Sequence, residues 1–378
     1  MSFPKIQALR HIPLISILLM LCSNTLAETT NAWLSNTTPV IKNPTAIQFR
    51  FAHPAPPVSQ LPPALQKGFD WLAAKTANTL TIEQFGGGVL YGMKNGVKAI
   101  RSGIADYGTC YSVGESSGFE YARTFHTPYV MPDNPYLSAR ILHELAPKYS
   151  ALEYQKRGVQ LAHIIPMRPM TLMSTSPIRT PQDLKGKRVI SYMNAPGASD
   201  RLEYVELKIP FPEIYTALQQ GLADVVIWSD LGFIPFKIFE HAKYYTPINV
   251  SIGTIETCIN RKSFKKLSPK IQTIFAEFQQ KSVLPIVSKE VSFAENAKVI
   301  YTENKVEYLN LTDTEKSAWE AAFEPIREGW LDECEEEGKQ CRKMVQEIRN
   351  LRKKYAMLSD EELIDLIVNH PVAGIMKN

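Results

Sequence analysis

The sequence predicts an α/β protein of two units, each a largely parallel sheet covered by helices. Three observations carry this. Strand-like and helix-like segments alternate from residue 47 onward, the order that buries a parallel sheet beneath crossover helices. The length of 378 residues leaves room for two cores at roughly 150 residues each. The 44% hydrophobic and 21% charged content is that of a globular chain and excludes disorder or collagen-like repetition. With 42 basic against 38 acidic residues and no Lys/Arg stripe interleaved with aromatics, a nucleic-acid partner is also excluded.

Residues 1–27 precede the fold. Lys5 and Arg10, the apolar run Ile12 to Leu21 and small or polar residues ending at Ala27 read as a cleavable export signal. The run is too short to remain as a membrane span, and bulky Leu21 before Cys22 argues against lipid attachment there. Residues 28–46, rich in Thr, Asn and Pro, are expected to be a flexible leader.

In the first unit, Ile47 to Ala52 alternates like a half-buried strand. Leu65, Phe69, Leu72 and Ala73 carry a helix over 63–79, and 80–85 is a second strand. A helix over 93–102 stops at Gly103, the stretch 104–108 leads into another strand, helices cover 136–145 and 150–157, and 160–165 is a strand. The second unit opens near residue 170 with a strand at 171–174. Thr180-Pro-Gln-Asp183 has the capping hydroxyl, first-turn proline and acid of a helix start. Strands at 187–192 and 223–228 flank a helix over 214–220 that Gly221 ends. Ser268-Pro269 starts another helix, Thr312 with Glu315 boxes the start of a long one that Pro325 should kink, and Ser359 with Glu362 opens the last.

Motifs for catalysis or metal binding are few. Gly86-Gly-Gly88 fits neither phosphate-loop pattern and is better explained as a strand-to-helix turn needing positive φ. The seven histidines show no zinc spacing, and Gly-x-Ser-x-Gly is missing, so neither an enzyme nor a metal or cofactor is expected. Four cysteines follow the signal: Cys110, Cys258, Cys334 and Cys341. An exported chain permits disulfides, and Cys334 with Cys341 is the candidate local pair because Glu335 to Gly338 can turn the chain between them.

Several segments, in order, resemble the solute-binding proteins of tripartite ATP-independent periplasmic (TRAP) transporters, the dicarboxylate-receptor family. They are Phe51-Ala-His-Pro54, Phe85-Gly-Gly-Gly88, the stretch from Gly96 to Gly108 ending Ile104-Ala-Asp-Tyr-Gly108, Pro177-Ile-Arg-Thr-Pro-Gln-Asp-Leu-Lys-Gly186, and Pro210 to Asp224. The resemblance spans about residues 47–330. It implies a periplasmic-binding-protein-like fold of two α/β lobes with crossing strands, a hinged ligand cleft and a long kinked C-terminal helix. Lobe I would take 47–167 and a return segment 254–293; lobe II would take 168–253 and, with a spanning helix, 294–330. Residues 331–378 would form a helical extension. It also implies a periplasmic receptor whose partners are a small molecule and the membrane-embedded permease subunits, with closure driven by tighter binding to the closed state.

Within that resemblance the expected pocket is unusual. The arginine that grips a ligand carboxylate in most relatives, bidentate chemistry suited to guanidinium, aligns with Ile190, and a second arginine of some members aligns with Met170. Trp228 stands where many members carry Asn, with Ile227 before it. Tyr111 replaces an acidic contact, Phe211 matches a cleft aromatic, and His53 follows the first strand. An unpaired buried carboxylate costs several kcal/mol, whereas an apolar ligand burying about 400 Å² gains on the order of 10 kcal/mol before association costs. These substitutions therefore predict a hydrophobic or neutral ligand such as an acyl chain, isoprenoid, sterol-like or aromatic molecule. Met167 and Met173 are either further pocket lining or core. The alternatives are an organic carboxylate anchored by Arg168 or Arg179, and a lipid carrier working without a permease.

Overall fold

Hydrogen-bond pairing divides the strands between two sheets. The computed structural model describes residues 31–41, 46–55, 61–115, 117–193 and 195–372; the export signal expected over 1–27 lies outside them. The strands are β1 (Ile47–Ala52), β2 (Leu80–Phe85), β3 (Tyr107–Thr109), β4 (Val159–Pro169), β5 (Thr171–Ser174), β6 (Arg188–Ser191), β7 (Val205–Glu206), β8 (Val225–Trp228), β9 (Tyr244–Thr246), β10 (Ile252–Asn260) and β11 (Glu307–Tyr308). Lobe I holds a five-stranded sheet in the order β2-β1-β3-β10-β4, and lobe II a six-stranded sheet in the order β11-β9-β5-β8-β6-β7.

β1, β2 and β3 are parallel, as are β6, β7 and β8. β10 runs antiparallel to β3 and β4, and β5 antiparallel to β8 and β9, so both sheets are mixed where alternation alone predicts parallel ones. The order of strands shows why. In lobe I, β10 lies inside β4; in lobe II, β5 lies inside β9. The segments β4–β5 and β9–β10 therefore exchange inner and outer places as they pass between lobes. At the crossing Met170 N donates to Ser251 O at 2.7 Å and Val250 N to Met170 O at 3.0 Å.

The longer helices are α1 (Leu61–Lys75), α2 (Pro135–Leu145), α3 (Pro269–Lys281), α4 (Val283–Glu303), α5 (Asp313–Glu336), α6 (Cys341–Tyr355) and α7 (Asp360–Asn369). In lobe I, Phe49, Phe51 and Tyr107 pack on Phe69 and Leu72 of α1 and Phe275 and Phe278 of α3. Leu161 and Ile164 pack on Ile141 and Leu142 of α2 and on Met344 and Ile348 of α6 in a separate core. In lobe II the period-two pattern sends Met173, Ile190 and Val226 to one core and Leu172, Val189, Val225 and Ile227 to the other.

Two helices belong to both lobes. α4 buries Val283 to Val287 in lobe I, and Ala297 and Tyr301 in lobe II. α5 buries Trp319 and Phe323 in lobe II, and Leu331 and Cys334 in lobe I, with Pro325 inside the helix between these contacts. Thr312 and Ser359 form the capping boxes of α5 and α7.

The expected flexible leader is corrected over residues 31–41. Trp33 is buried, its ring edge-on to Trp71 of α1 at 4.9 Å, and Trp71 Nε1 donates to Asn36 O at 3.1 Å. An indole on an apolar helix face gains enough by leaving water to hold such a segment.

Candidate ligand cleft

Strand direction locates the cleft. β4 runs toward lobe II, so β1, β2 and β3 also end there; β5 runs away from the crossing, so β6, β8 and β9 end facing lobe I. The crevice between the carboxyl ends of strands is where α/β sheets bind ligands.

On the lobe I side, His53 follows β1 and is buried against Gly86, where a Cβ would come within 2.8 Å of its ring; burial holds its pKa below the ordinary value. That contact accounts for a glycine at the end of β2. Tyr111 follows β3, half-buried on the aromatic core of lobe I. Next to it, Glu256 is completely buried in β10. Its carboxylate accepts from Ser112 Oγ at 3.1 Å and Thr254 Oγ1 at 2.5 Å, with His126 Nε2 3.2 Å away. A disulfide joins Cys110, beyond β3, to Cys258 in β10, Cα atoms 5.8 Å apart.

On the lobe II side, β8 ends in Trp228. Its indole lies 4.6 Å from the Tyr192 ring and is stacked with Phe236 at 5.5 Å. The indole covers Gly232 so closely that a Cβ there would lie 2.1 Å from it. The helical turn Asp230–Phe233 then begins with Asp230, buried and accepting from Tyr301 Oη at 2.8 Å. Burial raises the Asp230 pKa, while Tyr301 and Arg168 oppose that shift.

At the hinge, Arg168 N donates to Glu290 Oε2 of α4 at 2.9 Å. Burial pushes the Glu290 carboxyl up to about 8, against the pull of Arg168. The Arg168 Nε is buried and has no acceptor among the described residues. Its charge is felt by Asp133, Asp230 and Tyr308.

The expected site residues thus separate. Tyr111, Met170 and Trp228 are half-buried at strand ends or at the crossing, and His53 is buried just beyond β1. Ile190 and Ile227 are 1% and 0% exposed and fill opposite cores of lobe II, so neither is on an open cleft surface. Met173 is core and Met167 is half-buried. Phe211 begins a short 3₁₀ turn, and its side chain lies outside the described ones. Arg179 as a carboxylate anchor is corrected: β5 carries the chain away from the crossing, and Arg179 Nε meets Glu315 at the start of α5 at 2.5 Å. Cys334 and Cys341 are joined by a disulfide, Cα atoms 6.2 Å apart. Tyr192, Phe236, Glu256 and Glu290 were not singled out from the sequence. The single charge inside the otherwise uncharged strand 252–260 was the available signal for Glu256.

The model of the bacterial extracellular solute-binding proteins, family 7, matches residues 51–333. This chain belongs to that family. The ectoine-binding periplasmic protein TeaA of Halomonas elongata is 21% identical over 60% of this chain and 70% of its own length. A TRAP periplasmic solute binding protein of Roseobacter denitrificans with bound β-D-glucuronate superposes with a TM-score of 0.68 at 23% identity, over 80% of this chain and 99% of that one. One from Rhodoferax ferrireducens with copurified benzoate gives 0.71 at 16%, over 82% and 99%. These structures share the two-lobed fold. The family 7 chain is therefore an extracytoplasmic solute receptor of the TRAP type, and such receptors pass small molecules to a membrane permease.

Proposed function

We propose that this receptor captures a solute whose recognised body is apolar or aromatic, closing its lobes on it and delivering it to an ion-coupled permease. The observation that carries this reading is the ring cluster of Trp228, Tyr192 and Phe236 at the end of β8. Rings held against one another present an apolar face at little conformational cost. Met170 at the crossing adds an adaptable thioether.

A second reading keeps the receptor and gives the ligand a carboxylate met by Arg168. It is favoured by the buried Nε without an acceptor and by the absence of a salt bridge to this guanidinium among the described residues. The acids bound by the relatives from Roseobacter and Rhodoferax weigh in the same direction. The two readings meet in an aromatic or aliphatic acid.

Native mass spectrometry of the purified receptor identifies what it retains, and a thermal-shift panel of terpenoids, sterols, fatty acids and aromatic acids ranks classes. Trp228→Ala is expected to weaken the best ligand by about ten- to a hundredfold. If Arg168→Gln abolishes binding of an acid while Trp228→Ala leaves it unchanged, the apolar reading fails.

A further inference from the structure

Helix α6 lies beyond residue 333, where the family model ends. Its inner face is spent on lobe I, burying Cys341, Met344, Val345, Ile348 and Tyr355. The mount is rigid: the Cys334–Cys341 disulfide closes the turn into it, and Lys339 in that turn reaches Glu120 at 3.2 Å and Glu153 at 3.3 Å.

At 100° per residue, the outer face presents Lys343, Gln346, Arg349, Asn350, Lys353 and Lys354, all exposed. No acid of α6 stands among them, and Arg342, at the start of this face, is taken up by Glu328, Asp332 and Glu335 of α5. Glu347, at its margin, is engaged by Lys148. None of the four cations makes a salt bridge among the described residues; Lys343 bonds Gln340 and Lys354 lies over the Tyr355 ring. Just past the helix Met357 is 93% exposed. The acidic first turn of α7, with Asp360, Glu361 and Glu362, marks where the strip ends.

We infer that this strip docks the receptor on an anionic phospholipid surface. The residue types select that partner over a protein. Three of the four cations are lysines and no aromatic stands among them, whereas protein interfaces favour arginine and aromatics and are depleted in lysine. Compact ammonium groups on flexible stems match a fluid array of phosphates, and Met357 can enter the headgroup layer beside them. The strip runs about 16 Å along the helix, long enough to meet several headgroups at once. Docking would hold the receptor near the bilayer where its permease sits, whatever the ligand.

The test is co-sedimentation of the whole exported chain with phosphatidylglycerol-containing vesicles and with neutral phosphatidylcholine vesicles. Binding is expected to the anionic vesicles at low salt, with release at high salt. Replacing Lys343, Arg349, Lys353 and Lys354 together by Gln should weaken it at least tenfold with an unchanged melting temperature, and Met357→Ser by a smaller factor. The inference is overturned if the wild type ignores both vesicles, if it binds them equally, or if the quadruple variant sediments like the wild type. Capture by an acidic permease surface without vesicle binding would also overturn it.

Discussion

On the lobe I side of the cleft, Glu256 is fully buried and held by Ser112, Thr254 and His126 beside the Cys110–Cys258 disulfide. On the lobe II side, the Trp228 ring rests on Gly232 and on Tyr192 and Phe236. One wall is pinned by a covalent bond and by polar groups that are expensive to leave unpaired. The other is held by ring contacts worth about 0.5–1.5 kcal/mol per pair. The contrast suits the proposed hinged receptor, in which a fixed wall would set where a ligand rests and a wall of ring faces would resettle against it on closure.

The strongest way to break this contrast is to remove the covalent pin. Cys110 and Cys258 close a loop spanning 148 residues, so Cys110→Ser with Cys258→Ser should lower unfolding stability by about 4–5 kcal/mol. Denaturant titration would show it, and an effect below about 1 kcal/mol would mean that the polar cluster alone holds the wall.

Glu290 sharpens the comparison at the hinge. Its folded-state pKa is raised to about 8 from an ordinary 4.5, so the folded chain binds the extra proton between these values. Its contribution to stability is fully present at low pH and is lost as pH rises through about 8. Glu290→Gln should therefore be more stable than wild type above pH 8, by about 4–5 kcal/mol, and should match it near pH 5. Parallel stability curves for the two proteins across this range would remove Glu290 from the hinge argument.

The smallest expected effect tests the aromatic wall. Gly232→Ala places a methyl group where the indole lies, so the Trp228 ring must swing away. A loss of about 1–2 kcal/mol in stability is expected, with a change in the near-ultraviolet circular dichroism of Trp228. An unaltered spectrum would show that the ring is not seated on Gly232 in solution.

Much of the fold was legible in local pattern. β1, β2 and β5 run over the residues predicted as strands, and Thr312 and Ser359 cap the helices they were expected to cap. The candidate cleft was only partly legible. Trp228 ends β8 as its place in the sequence predicts, but Ile190 and Ile227 were taken as wall and are buried in the cores of lobe II. Apolar residues one position short of a strand's end carry the same signal whether they face a ligand or a helix.

Periodicity, caps and turn glycines act over a few residues, so composition and order were enough to specify two α/β units and the family's segments. The exchange of β4–β5 with β9–β10, the bond between Cys110 and Cys258, and the diversion of Arg179 to Glu315 while the Arg168 Nε finds no acceptor among the described residues all depend on groups distant along the chain. Their energies arise only when long loops close and side chains compete for the same partners, and no local window of residues contains that competition.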